Sequence, residues 1–518
     1  MTKIEKIQDF KKKQGFVDRL AFNYIEFLNN NKSEIILDIQ QREFWIYDNL
    51  NNRWFKRVEN KMSDGINLYD EIYNYLTDKD IFEPILTSPG RIGQEITKMG
   101  AMLIRKNKIK PEFADDKYHN LINGIYDSKK DEVIKHSSDI FTDYQYPFKV
   151  DIKKKFVLEE YPLLNKLFKG ALMDETTKKT DKDLFLMVSQ LFGTMIAPIR
   201  YPVMYILVGE QGTAKSTFGE LLSGFVGKGR CGRSPLENFS GNKKNKFGNH
   251  KAVVGNKLNI SEEISEEKLN ANNLKTLITE NEIETEAKGK GQRDTTHNTR
   301  FFGTSNNVLY FDSGVSGIDR RLKYIRLNRE IPSSEIDQNL VKKILSDKTE
   351  MEGLFLLSIQ GYKTLLENKD KDTVNWREGF FQSDDSVNAK EEVESKSRPV
   401  YQFLKDIELT PENTNYQINI AGLLDVYSNW ATDNGHEQSA GMTQNNFSRQ
   451  FSQYITQKYR ISKKVQEKTM KKRVEHNTKT VYTGLSINKD TIGILNSVGN
   501  EVIIDNNDMD DIANEFNK

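Results

Sequence analysis

The stretch VMYILVGEQGTAKST, residues 203–217, constrains this chain more than any other. Val203 to Val208 is an unbroken apolar run of the length of a strand buried on both faces. A loop with glycines at 209 and 212 follows, and Lys215-Ser216-Thr217 opens a helical pattern. Strand, glycine-bearing loop and helix start in that order form a cradle for phosphate, because loop N–H groups and the helix N-terminus converge on one anion. Lys215 would supply a charge to the terminal phosphates, and the Ser216 hydroxyl a ligand for Mg2+. The candidate binding set is Gly209, Glu210, Gln211, Gly212, Thr213, Ala214, Lys215, Ser216 and Thr217. Ala214 stands where such loops usually carry their last glycine. If its backbone must be left-handed, the methyl group costs about 1–2 kcal/mol.

A strand buried on both faces needs parallel neighbours and covering helices. From about 200 to 330 the sequence supplies them, with short apolar runs at KAVVGNKLNIS, TRFFGTSN and LKYIRL alternating with helical patterns such as EKLNANNLKTLIT. The expectation is an α/β fold with a mostly parallel sheet. Three of these runs end or begin in groups suited to phosphoryl chemistry. One ends in Glu262-Glu263, where one carboxylate can hold Mg2+ through water and its neighbour can orient an attacking water. Another ends in Asn306, whose amide can hydrogen-bond the γ-phosphate or the attacking water. Arg320-Arg321 precedes the last, and arginine is the residue that stabilises charge on a transferring phosphoryl group. Between them, TEAKGKGQRDTTHNTR (285–300) reads as a hairpin. Its tip would carry Lys288, Lys290 and Arg293 to a nucleic-acid backbone.

Phosphate loop, acidic strand end, hairpin, Ser-Asn strand end and arginine pair, in that order, resemble the superfamily 3 helicases. Within them, residues 203–327 are similar to the poxvirus-type primase-helicase branch, with its replicative helicases of bacteriophages, plasmids, and staphylococcal-type pathogenicity islands and cassettes. Leu309 stands where relatives often have proline. The resemblance implies an AAA+-like core, a hexameric ring, and ATP-driven translocation on single-stranded DNA. It assigns Lys215 and Ser216 to ATP and Mg2+, Glu262 and Glu263 to the acidic motif with Glu262 at the metal, and Asn306 to the sensor. Lys288 and Lys290 become pore contacts, and one of Arg320 and Arg321 a finger reaching a neighbouring subunit. The competing function is a DNA-stimulated ATPase that remodels or loads replication proteins without unwinding. A small-molecule kinase would need an acceptor pocket, for which the sequence has no signature.

Net charge cannot argue for DNA, with 76 basic against 75 acidic residues in 518, so local patches must. Cys231, the one cysteine, excludes a disulfide framework and cysteine-built zinc sites and fits a cytoplasmic location. No apolar run has the roughly 18 residues of a membrane helix. Residues 1–150 read as a mixed α/β module for DNA loading, oligomerisation or partner binding. Within it EFWIYDNLNNRWFKRV (43–58) carries a hairpin pattern, and His119 reads as a surface residue. A helical collar is expected over 151–200, the ATPase over 201–335, and a helical segment with a polar linker over 336–398. Residues 399–487 suggest a winged helix that would bind origin duplex DNA. Leu423, Leu424, Tyr427 and Trp430 form one apolar face there, and Phe447, Phe451 and Tyr454 another. Nine basic and two acidic residues follow in 458–479, among them Lys463, Lys464, Lys471, Lys472 and Arg473. An acidic, flexible tail is expected over 488–518.

Overall fold

The computed structural model describes residues 24–30, 33–38, 43–57, 116–240, 246–264, 269–287, 291–311, 317–411, 416–459, 481–483, 485–486 and 503–505, with scattered positions between 72 and 108. The chain divides into two units. One comprises Met1–Ser265, Asn272–Asn307 and Arg320–Val387, the other Glu266–Ala271, Val308–Asp319 and Asn388–Lys518.

The first unit begins with an antiparallel sheet of β1 (Ile35–Asp38), β2 (Glu43–Asp48) and β3 (Arg53–Arg57). The β2–β3 hairpin is the one its aromatic alternation predicts. In its turn the Asp48 carboxylate accepts from the backbone of Leu50 at 2.7 Å and of Asn51 at 3.3 Å. The period of two sends Ile35, Leu37, Phe44 and Ile46 into one cluster and Ile36, Trp45, Tyr47 and Trp54 into another. A second antiparallel sheet joins β4 (Tyr118–Leu121), β5 (Gly124–Asp127) and β6 (Glu132–Ile134). Leu121, Tyr126, Tyr146 and Phe148 enter the large core of this unit. His119 is not a surface residue: it is 2% exposed, with Nε2 2.8 Å from the Ile196 carbonyl oxygen. Strand alternation from Leu121 turns it inward, and burial holds its pKa well below the usual histidine value.

Two helices follow, α1 (Pro162–Ala171) and α2 (Lys182–Ile196), separated by the charged loop as expected. Asp181 caps α2 by accepting from the backbone of Asp183 and Leu184. Then β7 (Met204–Val208), buried at every residue, leads into α3 (Lys215–Val226). After β8 (Cys231–Gly232) and a helical turn at Glu237–Ser240 come α4 (Lys246–Val253) and β9 (Leu258–Ser261). Here KAVVGNKLNIS departs from expectation. Only its second half is a strand, and Lys251 to Val253 end α4. Gly255, at φ 73°, turns the chain between them, a conformation glycine takes at no steric cost. Next are α5 (Ala271–Thr279), the hairpin β10 (Glu282–Ala287) and β11 (Gly291–Thr296), β12 (Arg300–Ser305) and β13 (Leu322–Arg326).

The fold is mixed α/β around a five-stranded parallel sheet of order β13-β7-β12-β9-β8. β7 is flanked by the strand that ends in Ser305 and the one that follows the arginine pair. After α6 (Leu340–Ser346), α7 (Lys348–Glu367) crosses α2 at very close range. A Cβ on Gly361 would stand 1.8 Å from the Ser189 carbonyl oxygen, and one on Gly193 2.4 Å from the Tyr362 nitrogen. The stretch 370–398 is not a polar linker throughout. β14 (Trp376–Arg377) and β15 (Phe380–Phe381) form a small hairpin, and α8 (Asp384–Ser397) follows. Phe380 supplies the reason: it is 1% exposed and lies against the rings of Tyr201 and Tyr205.

A buried ionic cluster lies at the amino-terminal ends of β9 and β12. Arg300, 3% exposed, pairs with Asp116 and donates to the carbonyl oxygens of Thr194 and Ala197 near the end of α2. Burial pushes the Lys257 ammonium down to about 7; Asp116 opposes that shift, while Arg300 and Arg230 reinforce it. Burial alone would raise the Asp116 carboxyl, but Arg300 and Lys257 hold it below the ordinary carboxylate value.

The second unit contains α9 (Pro399–Asp406), β16 (Thr410–Pro411), β17 (Tyr416–Asn419), α10 (Ile420–Asp433) and α11 (Gln444–Tyr459). Late strands β18 (Val481–Thr483), β19 (Leu485–Ser486) and β20 (Ile503–Asp505) complete it. β20 falls within the expected flexible tail, which is therefore not tail throughout: Ile503 to Asp505 pair with β17. Leu423 and Tyr427 of α10 and Phe447, Phe451 and Tyr454 of α11 are buried together, with Leu424 and Trp430 at the edge. The outline differs from two helices and a hairpin. β17, ahead of the helices, sits between β18 and β20, so the two late strands pair with it rather than with each other. The basic residues Lys463, Lys464, Lys471, Lys472 and Arg473 lie outside the described residues. Among the described residues, no helix is long and apolar enough to cross a membrane.

Candidate functional site

In a parallel sheet, ligands gather beyond the carboxyl ends of the strands. At that end of β7 the chain enters the loop 209–214. A Cβ on Gly209 would lie 2.3 Å from the Leu327 carbonyl oxygen, so only glycine fits beside the neighbouring chain. Gly212 has φ 83° and Ala214 φ 68°, ψ 16°. The left-handed conformation that would make Ala214 a cost is therefore the one it adopts. Thr213, 2% exposed, donates its hydroxyl to the Glu210 carbonyl oxygen at 2.8 Å and closes the loop. Lys215 folds back, its Nζ 2.5 Å from the Gly209 carbonyl oxygen and 2.7 Å from that of Glu210. Desolvation lowers its pKa, while Glu210 and Glu263 pull the other way. Ser216 is exposed at the first turn of α3.

β12, beside β7, and β9, one strand further on, bring three of the expected groups to this edge. Ser305 pairs with Val208, and its carbonyl oxygen accepts from Gly209 at 3.3 Å, so exposed Asn306 follows directly beside the loop. Glu262 and Glu263 follow β9, and their surroundings separate them. Glu263 is left-handed at φ 51°, with its backbone nitrogen 3.2 Å from the Thr304 hydroxyl, and its charge acts on Lys215. Glu262 lies against the face of α3 that carries Ser216. Its Oε1 is 3.5 Å from where a Cβ on Gly219 would stand, and residues three apart share a helix face. That carboxylate accepts from Arg233 at 2.7 Å. A serine hydroxyl and a carboxylate on one helix face are hard oxygen donors of the kind Mg2+ prefers.

The segment after β13 lies along the loop, and no sequence motif marks it. Arg326 pairs with Val208 at the end of the sheet, Leu327 donates to the Val208 carbonyl oxygen at 2.7 Å, and Ile331 to that of Gly212 at 3.1 Å. Arg329 is 6% exposed, with its guanidinium held by both Glu335 oxygens and the Gly170 carbonyl. Glu330 projects over Gly212. Arg233, Arg326 and Glu330 are the site-edge residues that sequence reasoning missed. Arg326, ending a strand beside the loop's own, is the one with a readable signal.

Other candidates stand elsewhere. Arg320 and Arg321 precede β13, and the Arg321 carbonyl oxygen accepts from Met204 at 2.9 Å, at the amino-terminal end of the sheet. The expected hairpin strands are present as β10 and β11, while Lys288 and Lys290, between them in sequence, lie outside the described residues. Arg293 lies on its stem, half-buried, opposite buried Thr285. The alternate face of the stem carries Glu282, Glu284, Glu286 and Asp294. Among the described residues, no group of three or more metal-ligating side chains occurs.

The profile described as "Family of unknown function (DUF5906)" matches residues 207–321, from the end of β7 to the arginine pair. No curated protein matches the chain. Among solved structures it is similar to "The apo structure of NrS-1 C terminal region (305-718)", at 16% identity and a TM-score of 0.43, over 89% of this chain and 98% of that one. It is also similar to "The A form apo structure of NrS-1 C terminal region-CTR", at 15% identity, a TM-score of 0.42 and the same coverage.

Proposed function

We propose that the chain is an ATP-dependent DNA helicase with an AAA+-like core, serving as a replication initiator or replicative helicase of a phage or other mobile element. One observation carries this reading: the arrangement at the carboxyl edge of the parallel sheet. A left-handed glycine-bearing loop, Lys215, Ser216 and Asn306 sit side by side there, with Glu262 and Glu263 one strand further on. That is the equipment for positioning a triphosphate and a water, in the motif order of superfamily 3 helicases.

In this reading Lys215 leaves the Gly209 and Glu210 carbonyls and neutralises the terminal phosphates of ATP. Ser216 and Glu262 would hold Mg2+, which supplies charge neutralisation of the phosphates. Glu263 orients the attacking water, and Asn306 bonds the γ-phosphate or that water. Hydrolysis drives single-stranded DNA through a hexameric ring gripped at the tips carrying Lys288 and Lys290. The acidic outer face of the hairpin stem confines that grip to the tip, since its carboxylates repel phosphates. The basic stretch containing Lys463, Lys464, Lys471, Lys472 and Arg473 would hold origin duplex.

The test is an unwinding assay with ATP and Mg2+ on forked duplexes of opposite overhang, alongside ATPase with and without single-stranded DNA. Strand separation that Lys215→Ala abolishes, in a protein of unchanged melting temperature, is the expected result. DNA-stimulated ATPase without strand separation would favour the remodelling or loading activity instead. Full turnover by Lys215→Ala would refute the site.

A further inference from the structure

We propose that Glu330 is a charge selector on the nucleotide loop, admitting a magnesium-complexed nucleoside triphosphate in preference to the metal-free one. This rests on reading residues 209–217 as a nucleotide site.

The Glu330 carboxylate lies against the loop itself. Its Cγ and Oε1 are 3.2 and 3.7 Å from where a Cβ on Gly212 would stand. The main chain on either side fixes it there. Ile331 donates to the Gly212 carbonyl oxygen at 3.1 Å, and Arg329 is pinned between Gly170 and Glu335. Only the Glu330 side chain can swing; its Cα stays beside the loop.

Among the described residues the charge is also uncompensated. Among the described residues no hydrogen bond or ion pair holds this carboxylate, which is exposed. The adjacent cation, Arg329, is taken by Glu335. The loop's own cation, Lys215, is turned onto Gly209 and Glu210, and the carboxylates acting on it are Glu210 and Glu263. A structural role would give Glu330 a partner; none is present among the described residues. Whatever fills the loop therefore meets a bare negative charge at its rim.

Coulomb repulsion scales with the charge on the ligand. Fully ionised ATP carries about four negative charges and its magnesium complex about two, so the carboxylate opposes the metal-free form about twice as strongly in free energy. At about 7 Å, with an effective dielectric of about 60 and physiological screening, that repulsion is worth roughly tenfold in affinity for free ATP and roughly threefold for the complex. A loop that would otherwise close on metal-free nucleotide, and idle, is thereby biased toward the form competent for hydrolysis.

The experiment is calorimetric titration of the full chain with ATP, once with Mg2+ and once with EDTA. Four proteins are compared: unaltered, Glu330→Gln, Glu330→Asp and Lys215→Ala. Glu330→Gln is expected to tighten ATP in EDTA by roughly tenfold and in Mg2+ by roughly threefold, with the gap shrinking as salt is raised. Glu330→Asp, which keeps the charge, should behave as the unaltered protein. Equal gains in the two conditions, or weaker binding by Glu330→Gln, would overturn the selector while leaving the nucleotide site intact. If the unaltered protein binds ATP in neither condition, or Lys215→Ala binds it as well, the site itself is refuted and the selector with it.

Discussion

Ala214 offers the sharpest test of the loop, because its cost and its conformation can be read separately. Its backbone is left-handed, at φ 68° and ψ 16°. That conformation costs an alanine about 1–2 kcal/mol. Ala214→Gly removes the strain. Against the gain stand about 0.4–1 kcal/mol for the freer unfolded chain and at most about 0.8 kcal/mol for the buried methyl group. Ala214 packs half-buried against the core, so the second term is an upper bound. The terms nearly cancel, so glycine should lie within about 1 kcal/mol of the natural protein. Ala214→Val has no such offset: a branched Cβ in this region is an outlier, and the substitution should cost about 1–3 kcal/mol. Were residue 214 right-handed, the order would reverse, with valine costing at most about 0.7 kcal/mol and glycine about 0.5–1 kcal/mol. Urea midpoints of the three proteins, with slopes checked for equality, give the ranking. Because the strain is present before nucleotide binds, Ala214→Gly should also keep its ATPase. Valine matching alanine while glycine falls below both would refute the left-handed assignment.

Two further perturbations follow. Lys257→Met should stabilise the protein by about 1 kcal/mol or more at pH 6 and by less at pH 9. In the fold Lys257 releases its proton near pH 7, against 10.5 ordinarily, so from 7 upward the unfolded chain holds the extra proton and stability rises with pH. Thermal melts across that range should show the rise in the natural protein and a flatter profile in the variant; parallel profiles would refute it. The double variant Arg320→Ala, Arg321→Ala should bind ATP but lose most of its turnover, by about 10³-fold or more if one arginine acts as a finger. Mixing it with Lys215→Ala, with subunit exchange verified, should restore part of the ATPase; no recovery at any ratio would refute sharing of the site.

Much of the central sheet was legible because its signals are local. Six apolar residues before a glycine loop can hardly be other than a buried strand, and Asp48 with its neighbours announces the β2–β3 turn. The faces of α10 and α11 follow from helical period alone. What escaped reading depends on residues far apart in sequence. KAVV carries the apolar content of a strand, yet Gly255 divides it from β9, and Lys251 to Val253 end α4. Residues 376–397 look like linker because their charge is high, whereas Phe380 and its burial beside Tyr205 organise them. β17 is four residues long, and its partner β18 lies more than sixty residues away. The same distance hides the Arg233–Glu262 pair, 29 residues apart, and the approach of Glu330 to Gly212, which no spacing rule connects.

Sheet polarity bears on how the arginine pair could serve the nucleotide. β13 and β7 run parallel and in register from Leu322 and Met204 to Arg326 and Val208. Arg321 stands at the start of that ladder and the loop 209–214 at its end, with the five residues of β7 between them. At roughly 3.3 Å per residue, that separation is about 16 Å along the strand. An extended arginine reaches less than half that distance, and the sheet between is filled by Tyr205, Ile206 and Leu207. Within one subunit, the arginine at the loop's own end of β13 is Arg326. If Arg320 or Arg321 contributes to hydrolysis, the phosphate it meets must therefore belong to another copy of the chain. Such a contact is head-to-tail, since each subunit offers the amino-terminal end of its sheet and receives at the carboxyl end, and head-to-tail contacts close as rings or run on as filaments. The reach of one side chain thus ties the catalytic role of the pair to assembly: a protein that stays monomeric under conditions of full ATP turnover would exclude the arginines from the mechanism.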